Sequence, residues 1–115
     1  QIKDALFRQN IYSVEYYSSA HKNTLDVMNI LANYSKASQP NRKVVYVTVA
    51  GRSNALSGVV ASNVEYPVIA CPPFQDKMDM MVNINSTLMM PCKVPVMTIL
   101  EPVNVAISIR TMFDL

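Results

Sequence analysis

The stretch VVYVTVAGRSNALSG, residues 44–58, decides the fold class of this chain. Its first half is a nearly unbroken apolar run, which is typical of a strand covered on both faces in a parallel sheet. Its second half contains the only two glycines of the chain, Gly51 and Gly58. These features predict a buried strand that leads through a glycine-containing loop into a helix of small residues ending near Asn63.

The segments on either side continue this alternation of strands and helices. Runs of β-branched, aromatic and other apolar residues predict further strands, and apolar residues at helical spacing predict helices. Thr24 and Asp76 are the predicted N-caps of two helices, and Pro102 suits the first turn of a third. The strands are predicted at 11–17, 44–50, 66–71 and 96–100, the flanking helices at 2–9, 24–32, 76–88 and 103–113, and a polar connection at 35–43. The order predicts an α/β fold with three layers around a parallel sheet.

Composition excludes several classes of protein. The 115 residues suffice for one domain, and 50% apolar against 16% charged residues excludes a disordered chain. No apolar run reaches the roughly 18 residues of a membrane span, and a net charge of +2 without a Lys/Arg cluster gives no reason to expect a nucleic-acid partner. Two cysteines, Cys71 and Cys92, with a single histidine rule out the usual zinc sites and favour a reducing compartment, which we take to be the cytoplasm. We expect both cysteines to be buried as small apolar residues.

Two loops are candidates for chemistry, because ligands of parallel sheets bind at the carboxyl ends of the strands. The first loop contains His21, which is either a solvated or capping residue or a general acid/base. Lys22 beside it is either a surface lysine or a charge for a ligand phosphate. The second loop runs from Gly51 to Gly58. Its glycines serve either close packing or, with the hydroxyls of Ser53 and Ser57, an anion site at a helix N-terminus.

The segment KMDMMVNINSTLMM, residues 77–90, is rich in methionine. Such a segment would suit a soft metal ion, but Met78, Met81 and Leu88 recur at helical spacing. That spacing favours packing in the core or between subunits over metal binding.

Four motifs in a fixed order give the chain a resemblance to a known family. They are SAHK (Ser19–Lys22), AGRSN (Ala50–Asn54), YPVIACPP (Tyr66–Pro73) and Ser-x-Leu-x-x-Pro (Ser86–Pro91). With them, the chain resembles the aminoimidazole ribonucleotide (AIR) carboxylase domain of animal bifunctional enzymes. Those enzymes also carry a SAICAR synthetase domain, which the resemblance implies on the same polypeptide.

The resemblance implies a flavodoxin-like fold, an octamer with active sites between subunits, and carboxylation of AIR by CO₂ to CAIR in purine biosynthesis. It implies no biotin, metal ion or ATP for this step. His21 corresponds to the proton-transfer histidine, Ser19 and Ala20 to the loop that positions it, and Lys22 to a basic residue that contacts the substrate. The segment Ala50–Asn54 corresponds to the substrate-binding loop, in which Gly51, Arg52 and above all Ser53 are expected to bind CO₂ or the carboxylate.

The chain also departs from the family pattern. The family begins with a strand and a phosphate-binding loop that do not precede Gln1, so we expect residues 1–115 to form an AIR carboxylase domain that lacks its first strand and is incomplete at both ends. The related bacterial mutase, which moves a carboxyl group from a carbamate, has a second histidine where this chain has Ala55. The alternatives to a carboxylase are thus a mutase, which Ala55 disfavours, and a non-catalytic core for oligomer assembly.

Overall fold

The computed structural model describes residues 1–35 and 40–114, in which six helices and three strands alternate along most of the chain. The predicted connection at 35–43 lies partly outside the described residues. The elements are α1 (Ile2–Arg8), α2 (Thr24–Asn33), β1 (Tyr46–Thr48), α3 (Leu56–Asn63), β2 (Val68–Ala70), α4 (Lys77–Asn83), α5 (Asn85–Leu88), β3 (Met97–Thr98) and α6 (Pro102–Phe113).

The three strands form a parallel sheet in the order β1-β2-β3. Tyr46 is opposite Val68, and Ala70 is opposite Thr98, so the three strands end at the same edge of the sheet. The predicted parallel sheet is confirmed. All three residues of β2 are buried, because this strand lies in the middle and is covered on both faces.

A hydrophobic cluster on each face of the sheet makes the fold three-layered. Successive side chains of a strand point to opposite faces, and in β2 Ile69 belongs to one cluster and Val68 to the other. The first cluster joins β2 to α1 and α6, and the second joins it to α2 and α3. The buried members of the first are Ala5, Leu6, Ile69, Cys71, Val105, Ala106 and Ile109, and those of the second are Val27, Leu31, Val60, Ala61 and Val68.

The predicted strand at Ile11–Tyr17 is wrong. This segment has no regular secondary structure, and the side chains of Tyr12 and Tyr17 are 82% and 90% exposed. Among the described residues no strand pairs with the outer edge of β1, and only Thr48 of its three residues is fully buried, so β1 is less covered than its apolar run predicts. Strand propensity expresses a fit to a half-buried sheet surface, and it produces no strand where no neighbouring strand supplies hydrogen bonds.

The predicted helices agree with the structure apart from local shifts. Asp76 is the N-cap of α4, as predicted, and its side chain accepts a hydrogen bond from the Asp79 backbone N–H. The helix predicted to continue to Leu88 is divided at Ile84 into α4 and α5. Asn23 takes the N-cap position predicted for Thr24, which is instead the first helical residue.

Two predictions of burial fail. Cys71 is buried as expected, but Cys92 is exposed. Met78, Met81 and Leu88 are also exposed, so they do not pack in the core of this chain, and packing between subunits is the remaining interpretation of their spacing.

Candidate functional site

The SAHK turn directly precedes α2 and is held by its own backbone. The N–H of Asn23 donates to the carbonyl of Ser19 at 2.8 Å, and the N–H of Lys22 donates to the Ser19 hydroxyl at 3.2 Å. The hydroxyl of Thr24 donates to the carbonyl of Ala20, which ties the turn to the first residue of α2. His21 and Lys22 are both exposed at the surface of this turn. The turn therefore presents an imidazole and an ammonium group at the surface, where a ligand can reach both.

The AGRSN loop leaves the carboxyl end of β1 in a restricted backbone conformation. Ser53 has a φ of 45°, a left-handed value that is uncommon for residues other than glycine. A Cβ atom added to Gly51 would lie 3.3 Å from the carbonyl oxygen of Pro73. The absence of a side chain at Gly51 thus lets this loop approach the loop that follows β2. The close-packing interpretation of Gly51 is supported on this point.

A buried polar network lies beneath the loop and fixes its path. The Asn54 side chain accepts from the Ser57 N–H at 3.1 Å and donates to the hydroxyls of Ser57 at 2.8 Å and Thr87 at 3.0 Å. The Ser57 hydroxyl also pairs with that of Thr48 at 2.7 Å. The Asn54 N–H donates to the Ser86 hydroxyl at 2.9 Å. The network joins β1, the loop, α3 and α5, and since both amide N–H groups of Asn54 are used, we interpret Asn54 as supporting the loop.

Arg52 makes an ion pair across the site. One of its guanidinium nitrogens lies 3.6 Å from Oδ1 of Asp79 on α4. Together with Pro73, Phe74 and Gln75, these two residues line a cavity of about 550 Å³ at the edge where β1 and β2 end. Of the two loops predicted to bind ligand, only the one that carries Arg52 borders this open concave space, which is large enough for a small molecule.

Cys71 directly follows β2 and is buried in the hydrophobic cluster that includes α1 and α6. Its thiol lies 3.6 Å from the carbonyl oxygen of Leu100. Burial, and secondly the nearby negative charge of Glu101, raise the pKa of the Cys71 thiol above its ordinary value. A raised pKa keeps the thiol protonated and unreactive at neutral pH.

Residues 1–35 and 40–114 contain no group of three or more His, Cys, Asp or Glu side chains placed to hold a metal ion. Within the same residues, no helix combines the length and the apolar character needed to cross a membrane.

Comparison with known proteins identifies the family to which this chain belongs. The family model described as "AIR carboxylase" matches residues 1–114. The chain belongs to the AIR carboxylase family. The family resemblance of the four motifs is thereby confirmed.

Relatives of two kinds match this AIR carboxylase chain. A phosphoribosylaminoimidazole carboxylase of Archaeoglobus fulgidus is 44% identical over 105 residues, which are 91% of this chain and 55% of that protein. A bifunctional phosphoribosylaminoimidazole carboxylase/phosphoribosylaminoimidazole succinocarboxamide synthetase of Drosophila melanogaster is 36% identical over 98 residues, 85% of this chain and 22% of that protein. The chain thus spans about half of the archaeal relative and about a fifth of the insect one.

A solved structure confirms the fold. The crystal structure of Treponema denticola PurE matches with a TM-score of 0.86 and 37% identity, over 98% of this chain and 69% of that one. The flavodoxin-like fold predicted for this AIR carboxylase domain is therefore correct.

The structure brings some of the predicted site residues together and leaves others apart. Gly51 and Arg52 meet the loop after β2 and the side chain of Asp79. Among the described residues, no hydrogen bond or ion pair joins Ser19–Lys22 to Ala50–Asn54. The roles predicted for His21, Lys22 and Ser53 stay predictions.

Ser57, whose hydroxyl was predicted for an anion site, and Asn54 are buried and support the loop, and their hydrogen-bond partners were not predicted. Thr48 and Thr87 are buried partners of Ser57 and Asn54. A hydroxyl residue inside the apolar run at 44–50 was a usable signal, because a buried hydroxyl needs a partner. Asp79 carried no such signal, since its role depends on the position of α4 relative to Arg52.

Proposed function

We propose that this domain carboxylates AIR with CO₂ to give CAIR, a step of purine biosynthesis. The observation that carries the proposal is the family match over residues 1–114, within which the SAHK and AGRSN motifs are both present. The proposal includes the cytoplasm as location and no requirement for biotin, ATP or a metal ion.

The proposed chemistry needs little from the protein beyond positioning and one proton acceptor. The aminoimidazole ring of AIR is an enamine, so its ring carbon attacks the carbon of CO₂ and forms the new C–C bond. One C=O electron pair moves onto oxygen and gives the carboxylate. His21 then takes the proton from the same ring carbon, and the aromatic ring is restored.

The other predicted site residues bind and orient the reactants in this proposal. Ser53 and the guanidinium of Arg52 hold CO₂ and the developing carboxylate, since hydrogen-bond donors placed at developing charge lower the barrier. Ser19 and Ala20 hold the turn that carries His21, and Lys22 supplies a positive charge to the nucleotide. In this proposal a neighbouring subunit completes the active site, as the family resemblance implies.

We also propose a homo-oligomer, with the octamer as the expected form, and a SAICAR synthetase domain as partner on the same polypeptide. Exposed methionines on α4 support the first part. The synthetase activity in the printed name of the Drosophila relative supports the second. An oligomer that neither binds nor converts AIR would instead match a non-catalytic assembly core.

The competing candidate is the mutase reaction, in which the carboxyl group comes from a carbamate of AIR. Purified protein is supplied either with AIR and CO₂ or with the carbamate, and CAIR is measured by ultraviolet absorbance. The proposal predicts product from AIR and CO₂ and none from the carbamate. Product from the carbamate alone would replace the proposal with the mutase function, and activity that survives chelator treatment is expected in either case.

A further inference from the structure

Asp79 and Arg52 form an ion pair, but the side chain of Asp79 is fixed more firmly than that of Arg52. The Asp79 side chain is only 18% exposed, whereas that of Arg52 is 80% exposed. Oδ1 of Asp79 accepts from the Asn83 side chain at 2.7 Å, and Oδ2 accepts from the Gln75 N–H at 3.0 Å. The carboxylate is therefore fixed by α4 and its N-terminal loop.

The guanidinium of Arg52 is the movable member of the pair. Its contact with Asp79 is 3.6 Å long, which is an ion pair without a short hydrogen bond. Exposed ion pairs of this kind contribute about 0–1 kcal/mol, so little holds Arg52 in place. Both side chains line the same cavity, and a guanidinium binds any carboxylate that reaches it.

We propose that Asp79 competes with the carboxylate of the bound nucleotide for the Arg52 guanidinium. This competition weakens the binding of the carboxylated nucleotide relative to that of the uncarboxylated form. The inference rests on the proposed function, because it takes the two forms to be CAIR and AIR. AIR carries no carboxylate at the reacting carbon and does not compete with Asp79. The fixed carboxylate thereby favours release of the product after carboxylation.

The test measures dissociation constants of AIR and CAIR by calorimetry in a His21→Ala background, in which CAIR is not consumed. Asp79→Asn is expected to lower the dissociation constant of CAIR about fivefold more than that of AIR. The variant removes the negative charge that attracts Arg52 away from CAIR, and one such charge pair about 4 Å apart changes a binding constant by about this factor in water. Asp76→Asn is the matched control, because Asp76 carries the same charge nearby but has no contact with Arg52, and asparagine is an equally good N-cap. It is expected to leave the ratio of the two constants unchanged.

A second variant keeps the inference testable if Asp79→Asn fails to fold. Arg52→Gln is expected to weaken CAIR binding more than AIR binding, and the double variant is expected to show no added effect of Asp79→Asn. A ratio unchanged by Asp79→Asn in folded protein, or raised equally by Asp76→Asn, would overturn the competition and leave the proposed function intact. Binding of neither nucleotide by the His21→Ala background would overturn both.

Discussion

At the scale of single residues, Ser53 combines an unusual backbone with the hydroxyl expected to bind CO₂. Its φ of 45° is one that glycine adopts without cost. Ser53→Gly therefore removes the hydroxyl without straining the loop. We predict that kcat/KM for AIR falls by about 100-fold, the usual effect of losing one donor at a developing negative charge, while the urea midpoint changes little. An unchanged kcat/KM would show that the hydroxyl takes no part in the reaction.

Tyr46 is a second informative residue, because its hydroxyl is buried and finds no hydrogen-bond partner among residues 1–35 and 40–114. Burial, with the neighbouring Tyr66, Tyr34 and Tyr16, raises the pKa of Tyr46 to about 12. A folded-state pKa above the unfolded value of about 10 contributes stability that is complete below pH 10 and is lost as pH rises toward 12.

Tyr46→Phe removes both the unpaired buried hydroxyl and the group whose pKa is raised. Because an unsatisfied buried hydroxyl costs about 1–3 kcal/mol, we predict that the variant is more stable than the parent at pH 7, by about 1 kcal/mol. We also predict that its free energy of unfolding falls less between pH 10 and 12. Denaturant titrations at several pH values measure both effects. A variant that is less stable at pH 7 would mean that the hydroxyl has a favourable role.

At the scale of elements, the two glycines of the decisive stretch differ in function. Gly58 lies within α3, where a Cβ would meet only the Met90 sulfur at 3.4 Å. A Cβ added at Gly51 would instead lie 3.3 Å from the backbone carbonyl oxygen of Pro73 in the neighbouring loop. We predict that Gly58→Ala stabilises the domain by about 0.5–1 kcal/mol through helix propensity, whereas Gly51→Ala destabilises it. Thermal unfolding of the two variants compares them directly, and equal effects would contradict the packing described at Gly51.

The starts of helices could be predicted from the sequence where a single residue type determines them. Asp76 can satisfy the first free N–H groups of α4, and Pro102 is compatible only with the first turn of α6, so each marks a helix start. The segment at 11–17 could not be predicted, because whether a β-prone segment becomes a strand depends on a partner that its own sequence does not contain. The pairing of Arg52 with Asp79 was hidden for the same reason, since it depends on two elements meeting.

In the AGRSN loop, too, the features set by neighbouring residues could be predicted and those set by tertiary packing could not. Its place at the end of a strand was predictable from the apolar run and the glycine. That Asn54 is buried beneath the loop was not, because its partners Ser57 and Thr87 lie 3 and 33 residues away. Thr87 comes close only through the packing of α5.

At the scale of the whole molecule, α4 carries an apolar face that the described residues leave uncovered. Met78, Met81 and Val82 are spaced so that they lie on one side of the helix, and each is more than 65% exposed. Patches of this kind mark contact surfaces. We predict that the purified protein is an octamer in light scattering after size exclusion, and that Met81→Glu reduces its mass.

Met112→Glu is the control for that experiment, because it introduces the same charge on a different helix, α6. It is expected to leave the mass unchanged. An octamer that tolerates Met81→Glu would mean that the face on α4 lies outside the subunit contacts.

The central claim is that this domain exchanges CO₂ at the ring carbon of AIR with His21 as the proton carrier. Decarboxylation of CAIR, followed by ultraviolet absorbance on protein of verified intact mass, tests it most directly when His21→Ala is assayed beside the parent. We predict turnover by the parent and a loss of at least about 100-fold in the variant, with an unchanged circular dichroism spectrum. Equal rates in the two proteins, or no turnover by a folded octameric parent, would contradict the claim.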